Sequence, residues 1–141
     1  MMRIFQETLE LKTKRSFQYI NITDRIQDIV NKSKIKQGMA FVNTPHNTAT
    51  VIIQEDDPSI HEDTKLVVED IVPLEREYLH SYEGNINATS HIKNQILGNS
   101  NLCIPIKDGK LMLGVWQQIF FVEFLEGRSR KVVITIMGTS K

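Results

Sequence analysis

Apolar and polar residues change period several times along this chain, and each change suggests a different element. Residues 3 to 12 alternate in the manner of a half-buried strand, with Ile4, Thr8 and Leu9 set among polar neighbours. After an exposed KTKRS turn, Phe17, Tyr19 and Asn21 against Gln18, Ile20 and Ile22 predict a second short strand. The period then becomes helical. Ile26, Ile29 and Val30 share one face over residues 23 to 33, with Thr23 as N-cap and lysines at the negative end of the dipole. Gly38 stands at the junction with the next segment.

Met39 to Asn43 is a short apolar run, NTPHNT is a turn, and Ala49 to Glu55 is rich in β-branched residues. Together they read as a hairpin or two adjacent strands. A helix follows with clear start signals, Asp57 as cap and Pro58 at the first helical position, where its missing N–H costs nothing. Ile60, Thr64, Val67, Val68 and Ile71 form its expected inward stripe, His61 lies on the expected outer side, and Pro73 ends it. Residues 74 to 79 suggest a further helical turn. HSYEGNINATSH (80 to 91) is polar and turn-rich, and residues 90 to 97 predict a helix with Ile92 and Ile96 on one face and Gly98 at its end. LCIPI, an Asp108-Gly109 turn and LMLGVW predict a hairpin. Residues 118 to 124 are apolar enough for a central strand, and residues 131 to 137 form the last one.

Seven or eight strands with two or three helices, β at both ends and short connections, predict an α+β fold: a largely antiparallel sheet with the helices on one face. No repeat, low-complexity tract or linker divides the 141 residues, so one domain spanning 1–141 is expected.

Charge narrows the function classes. Lys+Arg and Asp+Glu balance at 17 each, leaving no global field for nucleic acid or an acidic membrane, so neither is expected as a partner. The N-terminus lacks a signal-peptide pattern, and no apolar run approaches the ~20 residues of a membrane helix. With one cysteine and no possible internal disulfide, the expectation is a cytoplasmic protein. Cys103, in the apolar run NLCIPI, is expected to be a buried small hydrophobe.

Candidate chemistry rests on histidine. His46, His80 and His91 come from separate segments, each beside small polar residues such as Thr48, Ser81 and Ser90. Three imidazoles can bind a divalent metal, zinc before magnesium, and leave a position open. They can equally hold a phosphate or act as acid and base. His80 and His91 are too far apart for one helical face and converge only if the loop folds back, which Gly84 permits. Glu55 is separated from His46 by an extended run, so the two share a site only around a sharp bend or across a subunit boundary. Trp116 and Gln117 mark a packing or interface position that could also wall a heteroaromatic ligand. Arg128 and Arg130 flank a turn as exposed charges or phosphate clamps.

Three blocks, PHNTATVIIQEDDP, HSYEGNINATSHIKNQILGNS and IPIKDGKLMLGVWQQIFFVEFLEGRSRKVVI, resemble the YjbQ-type family, also called secondary thiamine-phosphate synthases, over residues 3 to 137. The resemblance implies an α+β domain assembled as a homotrimer, with a site near the subunit boundary. It also implies weak joining of hydroxymethylpyrimidine diphosphate to thiazole phosphate, with a small-molecule phosphate as substrate. The family's histidines fall on His46, His80 and His91, its loop asparagine on Asn87, its Trp-Gln pair on Trp116 and Gln117, and its acidic residue on Glu55. Asn47, Ser81, Tyr82, Thr89 and Val115 depart from the pattern. The candidate set is therefore His46, His80 and His91 for catalysis or a metal, and Thr48, Asn87, Trp116, Gln117 and Arg128 for substrate. The alternatives to synthase chemistry are a metal-dependent phosphate-ester hydrolase and a non-catalytic trimeric anion-binding protein.

Overall fold

A computed structural model describes residues 1–141. In chain order the elements are β1 (Arg3–Lys12), β2 (Gln18–Asn21), α1 (Thr23–Ser33), β3 (Gln37–Asn43), β4 (Ala49–Glu55) and α2 (Pro58–Ile71). They continue with α3 (Asn85–Leu97), β5 (Asn101–Lys107), β6 (Lys110–Leu111), β7 (Gln117–Glu123) and β8 (Ser129–Thr139). The fold is α+β and every strand pair is antiparallel.

The strands divide between two sheets, in the orders β1-β8-β3-β5-β6 and β2-β7-β4. β3 and β4 therefore do not form a hairpin or lie side by side, because the Pro45 turn carries the chain from one sheet to the other. β7 shows why this is stable. Ile119 and Phe121 point into the large core shared with α1 and the five-stranded sheet, while Phe120 and Val122 point the other way, into a smaller core with Phe17, Val68 and Phe124. A strand apolar on both faces must be covered on both.

Local chemistry matches expectation in places and departs in others. Asp108 and Gly109 both have positive φ, as a tight two-residue hairpin turn requires, but the second strand is only two residues long. Asp57 caps α2 through the Ser59 N–H, with Pro58 at the first helical position. Thr23 is not the N-cap of α1. Asn21 Oδ1 instead accepts from the Thr23 N–H and hydroxyl, leaving the Thr23 hydroxyl to accept from the Ile119 N–H. Gly38 lies inside β3 rather than at a junction.

Five further expectations are corrected. In α2 only Val68 is buried, whereas Val67 and Ile71 face outward with Leu66. His61 is turned inward instead, stacked on Tyr19 at 4.0 Å, with its side chain only 12% exposed. Cys103 is exposed because it sits on the outward side of β5, between inward Leu102 and Ile104. α3 begins at Asn85, five residues before the expected start, and its buried residues are Ala88, Thr89, Ser90 and Lys93 rather than the Ile92 and Ile96 face. Residues 74 to 79 are turns and bends, without a helix. No helix is long and apolar enough to cross a membrane.

Candidate functional site

The chain brings His80 and His91 together. Gly84, with φ 89°, takes the turn, and its N–H donates to the Ser81 carbonyl at 3.0 Å. The Asn85 side chain then donates to the Leu74 and Arg76 carbonyls, both at 2.9 Å, pinning the start of α3 to the segment before it. The His80 and His91 rings end 4.9 Å apart, edge to face, and the Tyr82 ring meets His80 edge to face at the same distance.

His46 is placed differently. The β3–β8 ladder stops at the Asn43–Val133 pair, and Lys131 continues beyond it, paired only with Glu10 of β1. The imidazole occupies that gap. Its Nε2 lies 3.0 Å from the Lys131 N–H nitrogen and 3.1 Å from its carbonyl oxygen. A strand's inner backbone groups need partners, and the ring supplies one where β3 has ended. Burial and then the Arg130 guanidinium hold its pKa below the usual histidine value. Neutral, Nε2 accepts from the N–H, which puts the proton on Nδ1.

Behind His46 lies a buried ion pair that the pattern left unread. Glu123, fully buried, accepts from Arg130 Nε at 2.7 Å, from the Thr13 hydroxyl at 2.7 Å and from the Leu125 N–H at 3.0 Å. Arg130 is 6% exposed and also donates to Thr48 Oγ1 at 2.8 Å. Thr48 is thus committed to holding Arg130, and Arg130 is not an exposed turn charge. An acid inside the apolar run QQIFFVE was the available signal, since a charge there demands a partner. His46, Arg130, Lys131, Lys12 and Ser129 line a cavity of about 610 Å³, with Glu10 also on its wall.

The other candidates are dispersed. Asn87 and Arg128 line a smaller cavity of about 160 Å³ beside Leu125, where Asn87 Oδ1 is buried without a hydrogen-bond partner. Trp116 is 73% exposed rather than packed. Gln117 Oε1 accepts from the Gly114 N–H at 2.8 Å and closes the turn into β7. Glu55 lies directly across the ladder from Gln117, while Ala49 pairs with Glu123 at the far end. Six residue steps of β4, on the order of 20 Å, therefore separate the Glu55–Gln117–Trp116 end from the Glu123 end near His46. No group of three or more His, Cys, Asp or Glu side chains in this chain could hold a metal ion. The three histidines do not assemble such a centre by themselves.

Residues 7–139 match the family described as UPF0047 protein YjbQ-like. The chain belongs to this family. It is similar to a UPF0047 protein of Archaeoglobus fulgidus, 37% identical over 89% of this chain and 96% of the relative. It is also similar to the UPF0047 protein YugU of Bacillus subtilis, 35% identical over 94% and 98%. Among solved structures, a YbjQ-like protein of unknown function from Sulfolobus solfataricus superposes with a TM-score of 0.91 at 30% identity, covering 98% of this chain and 99% of that one. A YjbQ/UPF0047 protein of Clostridium acetobutylicum gives 0.85 at 39% identity, covering 92% and 98%. The UPF0047 match spans both sheets and all three helices.

Proposed function

We propose that this protein is a secondary thiamine-phosphate synthase working as a homotrimer. It would join hydroxymethylpyrimidine diphosphate to a thiazole phosphate. The supporting observation is the cavity beside His46, whose wall carries Lys12, Arg130 and Lys131. In the reaction the bond from the pyrimidine methylene carbon to the diphosphate oxygen breaks, and the thiazole nitrogen forms the new bond to that carbon. The leaving diphosphate carries the developing charge, and fixed cations that meet it lower the barrier. Lys12 and Lys131 would supply ammonium groups there, while Arg130 is held in place by Glu123 and Thr48.

The homotrimer reading draws on two features. Leu66, Val67 and Ile71 leave an apolar face on α2, and Met112, Val115 and Trp116 leave another before β7. The family pattern's two groups of residues also lie at opposite ends of β4 and β7, so contact between them requires a second copy. A zinc or magnesium ion held by His80 and His91 would take its remaining donors from that copy.

Thiamine phosphate formation from both substrates tests the proposal. Product is expected from the wild type and at least tenfold less from His91→Ala or Lys131→Ala. Hydrolysis of phosphate esters, lost on chelation, with no thiamine phosphate would instead favour a hydrolase. Ligand-induced stabilisation with no turnover would favour a binding protein. Light scattering after gel filtration reads the assembly, and a Val67→Glu/Ile71→Glu variant is expected to run as a smaller species.

A further inference from the structure

The five-stranded sheet has one face in the core and one that no helix covers. Ala40, Ile104, Ile134 and Ile136 point inward, where α1 packs on them through Ile26, Ile29 and Val30. α2 and α3 lie against the other sheet, α2 through Val68 on Phe120 and Val122, and α3 beside β4. The outward face of an antiparallel sheet normally meets water and carries polar and charged residues.

This one does not. Directly paired residues put Ile4, Met137, Met39 and Pro105 in one rank across β1, β8, β3 and β5. Met112 continues that rank beyond β6, its N–H donating to the Pro105 carbonyl at 2.9 Å. The next rank is Gln6, Thr135, Phe41 and Cys103, and the one after it is Thr8, Val133, Asn43 and Asn101. In a chain that is 24% charged, these three ranks hold no charge. Charged pairs flank them, Glu10 opposite Lys131 at one end and Lys107 opposite Lys110 at the other. The polar side chains in the ranks already bond to one another: Gln6 Nε2 donates to Thr135 Oγ1 at 2.8 Å, and Asn43 Nδ2 to Asn101 Oδ1. Ile4 is 70% exposed and Met112 55%, and Cys103 and Pro105 are exposed as well. Charge-free, with methionines and an aromatic ring, this surface has the composition of the buried centre of a protein interface.

The missing charge also selects the partner. Whatever dries this face must bring no charge of its own, because a buried ion needs a counter-ion that the face cannot supply. The outward side of α2 fails that condition, since Lys65, Glu69 and Asp70 interrupt Leu66, Val67 and Ile71. The same sheet face on a second copy meets it, and a patch that complements itself closes as a two-fold pair. We propose that this face is an interface between two copies of this chain, stacked sheet on sheet with Phe41 at its centre. The inference rests neither on the synthase reading nor on the α2 face.

Cys103, the only thiol, lies directly across the ladder from Phe41 and reports on the contact. In the full-length wild type it should react with a maleimide dye at least tenfold more slowly than in Phe41→Glu, and light scattering should show that variant at half the wild-type mass. The new carboxylate disfavours the thiolate, so faster labelling is not an electrostatic effect. Ile4→Glu, an exposed change at the far edge of the face, should act in the same direction. Both variants should keep the wild-type far-UV circular dichroism. Val67→Glu/Ile71→Glu, which tests the homotrimer, should leave Cys103 protected whatever it does to the mass, so the two readings fail separately. Wild-type labelling as fast as in urea-unfolded protein would overturn the proposal. So would equal labelling rates and masses in the wild type and Phe41→Glu, or faster labelling confined to a variant that has lost its native circular dichroism.

Discussion

His46 Nε2 sits 3.0 Å from the backbone nitrogen of Lys131 and completes the edge of β8 that β3 leaves uncovered. The ring does the work of a missing strand residue, and this sets how its protonation acts on the fold.

Acid should weaken the protein through this contact. Burial and Arg130 place the folded-state pKa of His46 below its ordinary 6.5, so on acidification the unfolded chain takes up the proton first. The contribution to stability is complete above about pH 6.5 and is lost as pH falls through the depressed folded value. Urea midpoints at about pH 7.5 and about pH 5.5 should differ more for the wild type than for His46→Asn, which cannot titrate. Equal pH sensitivity of the two would refute the assignment.

Removing Arg130 should cost more than removing any exposed arginine. Arg130→Met leaves the Glu123 carboxylate buried with only Thr13 and the Leu125 N–H as partners. The expected loss is about 3–5 kcal/mol by denaturant unfolding. Arg128→Met should stay within about 0.5 kcal/mol of the wild type, as surface changes do. A small effect at Arg130 would mean the pair is hydrated in solution.

His61 invites replacement by an apolar ring. Its Nε2 is buried without a hydrogen-bond partner, 3.8 Å from Asp56, while the ring stacks on Tyr19 and meets Phe120 edge-on at 4.9 Å. His61→Phe keeps the stack and removes the unsatisfied nitrogen, so thermal unfolding should be unchanged or shifted upward by as much as about 1–3 kcal/mol of stability. His61→Ala should destabilise by leaving a gap. If both substitutions destabilise equally, the nitrogen has a partner that stabilises the fold.

Gly38 and Gly138 face each other in the β3–β8 ladder at close approach. A Cβ at Gly38 would lie 2.0 Å from the Met137 carbonyl oxygen and 2.8 Å from the Gly138 Cα. Both obstacles are backbone and cannot swing aside. Gly38→Ala should lower the urea midpoint by about 2 kcal/mol or more. Gly114→Ala, where the nearest atom is a Gln117 side-chain oxygen at 3.4 Å, serves as the tolerant comparison.

Much of this protein was determined by sequence pattern alone. The α+β class, the span of α1, the cap of α2, the Asp108-Gly109 turn and the apolar β7 all follow from local periodicity and turn chemistry. The family pattern was equally legible, because it lies in contiguous blocks. Tertiary structure decided what periodicity cannot encode. It assigned β3 and β4 to different sheets, because both runs look alike until their partners are known. It turned His61 inward and left Val67 and Ile71 outside, because only one narrow edge of α2 meets β7. It joined His80 to His91 while setting His46 into the edge of β8, because the Gly84 turn folds back and β3 ends two pairs early. Above all it buried Glu123 on Arg130. Whether a buried charge is paired depends on residues distant in the chain, and only the packed molecule brings them within reach.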